Sequence, residues 1–196
     1  MATTTPRYTE IVTVAARLFA TKGYGATSVQ DIANDVGMLK GSLYHHISGK
    51  QALLEAVIQS VHDSALDRLS ETCKQTGSPL ETLSWFISDH VMYNIDHLNG
   101  IRVYFQEFRS LDAPNADRIW RDRLTYDRFV RKLVIDAQIS GEADGTVDPR
   151  DTAVAILSLM NWVYQWYDPS VGVSARATAA TIASQGIRLL TTGRAA

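Results

Sequence analysis

A chain of 196 residues with a formal net charge of −2, 45% hydrophobic residues and 20% charged ones has the balance of a folded globular protein. That balance excludes a disordered chain, a fibrous repeat and an acidic tail. Its length suits one compact domain, or a small domain of roughly 50 residues joined to a larger one. The opening Met1-Ala2-Thr3-Thr4-Thr5-Pro6-Arg7 is not a charged start followed by an apolar run, and no stretch approaches the roughly 20 apolar residues that span a bilayer; a cytoplasmic location without membrane contact is expected. Cys73 is the single cysteine, so no internal disulfide can form, and no cysteine or histidine cluster has zinc spacing. No metal or cofactor is expected, and helix packing has to supply the stability.

The charge is unevenly divided. Residues 1–50 hold Arg7, Arg17, Lys22, Lys40 and Lys50 against Glu10, Asp31 and Asp35, a net of +2, which leaves −4 on the remainder. Attraction for phosphates therefore falls at the N-terminal end.

Helices are expected over 6–22, 28–36, 39–46, 49–76, 78–98, 100–110, 114–140, 149–167 and 174–192, an all-α fold of about nine helices with no convincing strand. Proline tolerates the first helical position because its missing N–H would have had no partner there. Thr5-Pro6 opens the first helix on that basis, and Ser78-Pro79 and Asp148-Pro149 open later ones, each with an acidic residue close behind. Pro114 begins another helix, whereas Pro169 follows a helix end. Gly23, Gly37, Gly77 and Gly141 stand where apolar periodicity stops. In the first helix Ile11, Val14, Ala15, Leu18 and Phe19 fall on one face, and Leu54, Val57, Ile58 and Val61 do so in the fourth.

From Thr27 to Leu54 the pattern is two short helices joined by a tight turn and followed by the start of a third, the grammar of a helix-turn-helix. Ala33 and Gly37 are small where the helices cross, and Ile32, Val36, Met38, Leu43 and Ile47 form the wedge between them. Left outside are groups suited to a DNA surface: Thr27, Ser28, Lys40, Gly41, Ser42, Tyr44, His45, His46 and Lys50. Thr27 or Ser28 caps the second helix, and Ser48 with Gln51 caps the fourth. The 39–46 helix is expected in the major groove, where Lys40 could reach guanine acceptors and Leu39 or Gly41 a thymine methyl. Two copies on a palindromic operator would make up for the modest charge.

Thr27-Ser28, Ile32-Ala33, Gly37, Gly41, Leu43-Tyr44-His45-His46, Lys50 and Leu53-Leu54, preceded by Ala15-Ala16, Leu18-Phe19 and Gly23-Tyr24, resemble the signature of the TetR family over roughly the first 55 residues. The resemblance implies a homodimeric regulator, usually a repressor, released from DNA when a small ligand enters the C-terminal domain. Two positions depart from the pattern: Ile47 stands where the family often has Phe, and Leu39 where it has a small hydroxyl residue.

Beyond residue 78 aromatic side chains are dense and polar ones are interleaved, a mixture that suits an apolar site with a few orienting groups as well as a plain helical core. Phe86, His90, Tyr93, Phe105, Phe108, Trp120, Arg123, Tyr126, Trp162 and Trp166 are the candidate ligand contacts. The stretch from Met160 to Pro169 resembles TetR-like regulators that respond to acyl-CoA thioesters, although Ser158 replaces the arginine that some of them carry one turn before the tryptophan. Small residues at Ala177, Ala180, Ala183, Ser184 and Gly186 permit close helix approach, and the resemblance implies a four-helix dimer interface from the last two helices of each subunit.

The expectation is a DNA-binding domain over 1–50 and a helical ligand-binding and dimerisation domain over 51–196. His90 with Asp89 or Asp96 leaves an enzyme as a competing class, yet no nucleophile motif, phosphate loop or carboxylate pair accompanies it, so the chain is not expected to be an enzyme. A helical ligand-binding protein without a DNA-binding role is the other alternative.

Overall fold

The computed structural model describes residues 5–191. The first four residues of the expected 1–50 domain lie outside the described residues, as do the last five of 51–196, which include the end of the expected 174–192 helix. Among the described residues there is no strand. The chain forms two compact units. One holds the residues up to Ser64 together with His97–Ala116, and the other holds Ala65–Asp96 and the residues from Asp117 onward.

The first unit is built on α1 (Pro6–Lys22), α2 (Val29–Val36), α3 (Lys40–Leu43), the start of α4 (Lys50–Thr72), and α6 (Leu98–Gln106), which follows α5 (Pro79–Asp96). Thr5 caps α1 by accepting from the Tyr8 amide, and Pro6 supplies its first turn. Ile11, Ala15 and Phe19 are buried, the face that the 3.6-residue period marks as apolar. Ser28 and Asp31 cap α2 reciprocally. At its far end Gly37 is left-handed (φ 71°), with Gly37 N–H bonded to Asn34 O and Met38 N–H to Ala33 O, a Schellman closure. A Cβ on Gly37 would meet nothing within 4 Å, so the backbone conformation, not crowding, calls for glycine there.

α3 is shorter than the expected 39–46. Bonds from His45 N–H to Ser42 O and from His46 N–H to Leu43 O tighten Tyr44–His46 into a turn, the three-residue closure common at helix ends. α6 packs on α1 and meets α4 where a Cβ on Gly100 would stand 3.0 Å from Val61. One turn on, the rings of His62 and Tyr104 stack. α6 ends earlier than the expected 110, and a 3₁₀ turn, Phe108–Ser110, follows it.

The second unit holds the rest of α4, α5, α7 (Ala113–Ile139) from Asp117 on, α8 (Pro149–Asn161), α9 (Val163–Trp166) and α10 (Ala175–Thr191). Asp148 caps α8 through the Arg150 and Asp151 amides. The expected 149–167 helix is interrupted at Trp162, and α5 supplies the reason. Asn94 donates to Met160 O at 3.1 Å, and the His90 ring nitrogen Nε2 lies 3.0 Å from Asn161 Oδ1. Pro169 follows the end of α9 and opens a 3₁₀ turn, Pro169–Val171, capped by Asp168. Gly77 is absent from the positive-φ glycines, whereas Gly141 (φ 74°) is among them. α10 lies against α5 so closely that a Cβ on Gly186 would sit 2.7 Å from Ile87 Cδ1. The small residues of α10 are thereby divided: Ala183 and Gly186 turn inward, while Ala177, Ala180 and Ser184 are exposed.

Candidate nucleic-acid interface and aromatic cluster

In the first unit the turn between α2 and α3 faces outward because its apolar residues are used behind it. Ile32, Ala33, Val36, Leu43 and Ile47 are buried, and burying that wedge leaves Lys40, Gly41, Ser42, Tyr44, His45 and His46 exposed. Gly41 has open space where a Cβ would stand.

Three of the five cations in residues 1–50 are paired at once. Arg7 bonds Glu10 at 2.6 Å, Lys22 bonds Asp31 at 2.7 Å, and Arg17 bonds Asp35. Arg7 also donates to Val36 O at 3.0 Å, satisfying a carbonyl at the end of α2. The Lys22 ammonium and the Ser28 amide and hydroxyl together hold the Asp31 carboxyl down to about 2, since each stabilises the ionised form. These groups fix the scaffold of the unit and leave Lys40 as the exposed cation at the start of α3.

Two candidates are repositioned. Thr27 is buried, its hydroxyl donating to Gly23 O at 2.8 Å with Leu18 O at 3.3 Å. The side chain expected on the DNA surface therefore closes the turn after α1, because an inward hydroxyl must find a partner. The capping role falls to Ser28 alone; it is exposed, but its hydroxyl is committed to Asp31 at 2.8 Å. Lys50 is half-buried, donates to Tyr24 O at 2.9 Å and lies 4.3 Å over the Tyr24 ring, a cation–π contact. Gln51 does not join Ser48 in a cap. It accepts from the Tyr24 hydroxyl at 2.8 Å and donates to Ser110 O at 3.0 Å. Tyr24 was legible as part of the motif, but its role as the post that holds the start of α4 was not.

In the second unit Phe86 on α5 touches His90, Tyr126 and Phe129, with ring centroids 6.0, 5.9 and 5.3 Å away. His90 also meets Tyr126 edge-on. Burial pushes the His90 imidazole down to about 4, well below its ordinary 6.5, against opposing contributions from Asn161 and Asp89. His90 is thus neutral in an apolar setting. The Tyr126 hydroxyl is bonded to Ala65 O on α4. Phe129 and Asn161 complete this group, and neither stood among the candidate contacts. Helical spacing puts Phe129 three residues from Tyr126, but the Asn161 partnership joins α5 to α8 across a sequence gap that carries no local signal.

Tyr93 is buried under Arg68, whose guanidinium lies 4.6 Å from its ring centroid and pairs with Asp89 at 2.5 Å. Phe105 and Phe108 belong to the first unit. Arg123 is half-buried on α7. Trp120, Trp162 and Trp166 are 58%, 60% and 54% exposed; Trp162 packs edge-on against Tyr164. No group of three or more metal-ligating side chains occurs among the described residues, and no described helix is long and apolar enough to cross a membrane.

Two family models match the chain. Residues 11–57 match the bacterial regulatory proteins of the tetR family, and residues 76–190 match the tetracyclin repressor-like C-terminal domain. The HTH-type transcriptional repressor KstR2 of Mycolicibacterium smegmatis is 32% identical over 175 residues, covering 86% of this chain and 83% of the relative. Among solved structures, AibR in complex with isovaleryl coenzyme A and operator DNA is 27% identical with a TM-score of 0.79, covering 94% of this chain and 97% of that one. The ketosteroid regulator KstR2 of Mycobacterium tuberculosis shares the fold, with a TM-score of 0.88 at 23% identity over 94% of this chain and 95% of that one. With both of its parts matched and the α2–α3 face turned outward, the chain belongs to the TetR family and is a DNA-binding transcriptional regulator, not an enzyme.

Proposed function

We propose that the chain works in the cytoplasm as a homodimeric repressor whose α3 helices enter successive major grooves of a palindromic operator, and that a small apolar effector of the acyl-CoA class releases it. In this reading residues 1–50 are the DNA-binding domain and 51–196 the effector and dimer domain. The observation that carries the DNA half is the outward face of Lys40, Gly41, Ser42, Tyr44, His45 and His46 over a buried wedge. Lys40, Ser42 and the two histidines supply donors for phosphates and base edges. Ser28 and Lys50 brace this face from its sides.

The effector half rests on the cluster of Phe86, His90, Tyr126 and Phe129, which offers apolar area with one neutral donor–acceptor ring. A thioester acyl group suits such a lining better than a charged molecule does, because a buried charge without a partner costs far more than it returns. Ser158 bonds Val154 O at 2.7 Å and brings no cation, so recognition falls on the acyl portion more than on the CoA phosphates. Trp162 and Trp166 stand on the exposed side of α8 and α9. Effector contact at these rings, and at Trp120, comes from the outer surface of the unit, on helices whose outward small and apolar residues suit the second subunit.

Release follows a two-state scheme. An effector polar group that takes the His90 ring competes with Asn161 at the break between α8 and α9. A shift of that break re-angles the helices assigned to the dimer, and α4, which runs through both units, carries the change toward the DNA-binding end. Mobility shift on duplex DNA flanking the chain's own gene, titrated with isovaleryl-CoA, longer acyl-CoA thioesters and free CoA, tests the scheme. Retardation relieved by one or more thioesters and not by CoA is expected; relief by none of them contradicts the acyl-CoA assignment.

A further inference from the structure

Leu39 is a large apolar side chain in a face otherwise made of glycine and polar groups. It is 80% exposed and sits in extended backbone (φ −70°, ψ 143°) immediately before α3, to which it gives no side-chain cap. Its apolar neighbours all have uses within the fold: Leu43 and Ile47 are buried and Met38 is half-buried. Folding therefore draws nothing from leucine at this position, neither burial nor the hydrogen bond that a serine, threonine or asparagine would offer. Two residues on, the space beside the Gly41 backbone is open, so the ground next to Leu39 is left clear for a close surface.

We propose that Leu39 is a specificity-determining residue of the operator complex, covering the 5-methyl group of a thymine in the major groove; this rests on the docking of α3 proposed above. The thymine methyl is the apolar group that base pairs present on that edge, the other positions being donors and acceptors. Against those, a leucine would strip water from a polar atom and return no hydrogen bond. Leu39 thus favours thymine by apolar contact and disfavours other bases by desolvation, while Lys40 and Ser42 beside it hold the polar contacts. Burying about one methyl is worth roughly four-fold in affinity per half-site, so about fifteen-fold for a symmetric pair.

The test begins with selection of duplexes from a random pool by the full-length protein, followed by replacement of each symmetric thymine pair in the selected site with deoxyuridine. That change removes the methyl and keeps every hydrogen-bonding group. The parent should show one thymine position where the replacement weakens binding about fifteen-fold. Leu39→Ala and Leu39→Ser, the second of which restores a cap, should lose affinity for the thymine site and respond less than two-fold to the replacement. Insensitivity of the parent at every thymine, or equal sensitivity in the variants, overturns the role of Leu39 while leaving the docking intact. Enrichment of no duplex at all overturns the docking and this inference with it.

Discussion

At the scale of the residue, a polar side chain that leaves water points where its hydrogen-bond partner is. Thr27 satisfies Gly23 O, and Lys50 satisfies Tyr24 O. Thr27→Val should therefore lower stability by about 1 kcal/mol, the net value of one buried hydrogen bond, with operator affinity unchanged when measured well below the melting temperature. A loss of affinity at full stability would return Thr27 to the DNA surface. His90 yields a pH dependence. Its folded pKa of about 4 lies below the ordinary 6.5, so between those values the unfolded chain binds the proton and the folded chain does not. Stability from this group is fully present above about 6.5 and is lost as pH falls toward 4, by roughly 3 kcal/mol in all. Urea midpoints across that window should flatten in His90→Gln, which keeps a hydrogen-bonding side chain and removes the titration; an unchanged slope contradicts the assignment.

Among elements, those punctuated locally were the legible ones. α1 follows from Thr5-Pro6 at one end, Gly23 at the other and the Ile11, Ala15, Phe19 stripe between, all information within one segment. The break between α8 and α9 could not be read this way, because the groups that hold it, Asn94 and His90, lie on α5. The short α3 was likewise hidden, since nothing in Tyr44-His45-His46 forbids helix; bonds to carbonyls three residues back close the turn. Gly37 offers a direct check at this scale. Because its φ is 71° and the space is open, Gly37→Ala should cost about 1–2 kcal/mol from backbone strain alone, and the larger Gly37→Asn, whose short polar side chain tolerates the left-handed region, should cost less. A cost for asparagine well above that for alanine would mean that crowding governs the turn.

For the whole molecule, the TetR assignment came from the first 55 residues, while the effector half was legible as composition more than as a site. Aromatic density pointed to Phe86, His90 and Tyr126, whose rings the fold brings together, and equally to Phe105 and Phe108 of the other unit and to the exposed Trp120, Trp162 and Trp166. Periodicity reports which face of a helix is apolar without reporting which helix covers it. The same limit applied to α10, where Gly186 serves α5 within the chain and Ala177, Ala180 and Ser184 are exposed.

The claim on which the rest depends is that the α2–α3 turn presents its exposed face to DNA. Operator titrations of Lys40→Ala and Tyr44→Ala, run beside sedimentation of the same samples, test it most directly. The account predicts that each variant keeps the parent's dimer and loses at least ten-fold in affinity, with a shallower salt dependence for Lys40→Ala as one phosphate or base contact per subunit is removed. Parent-like affinity in both variants, with the dimer intact, would contradict it.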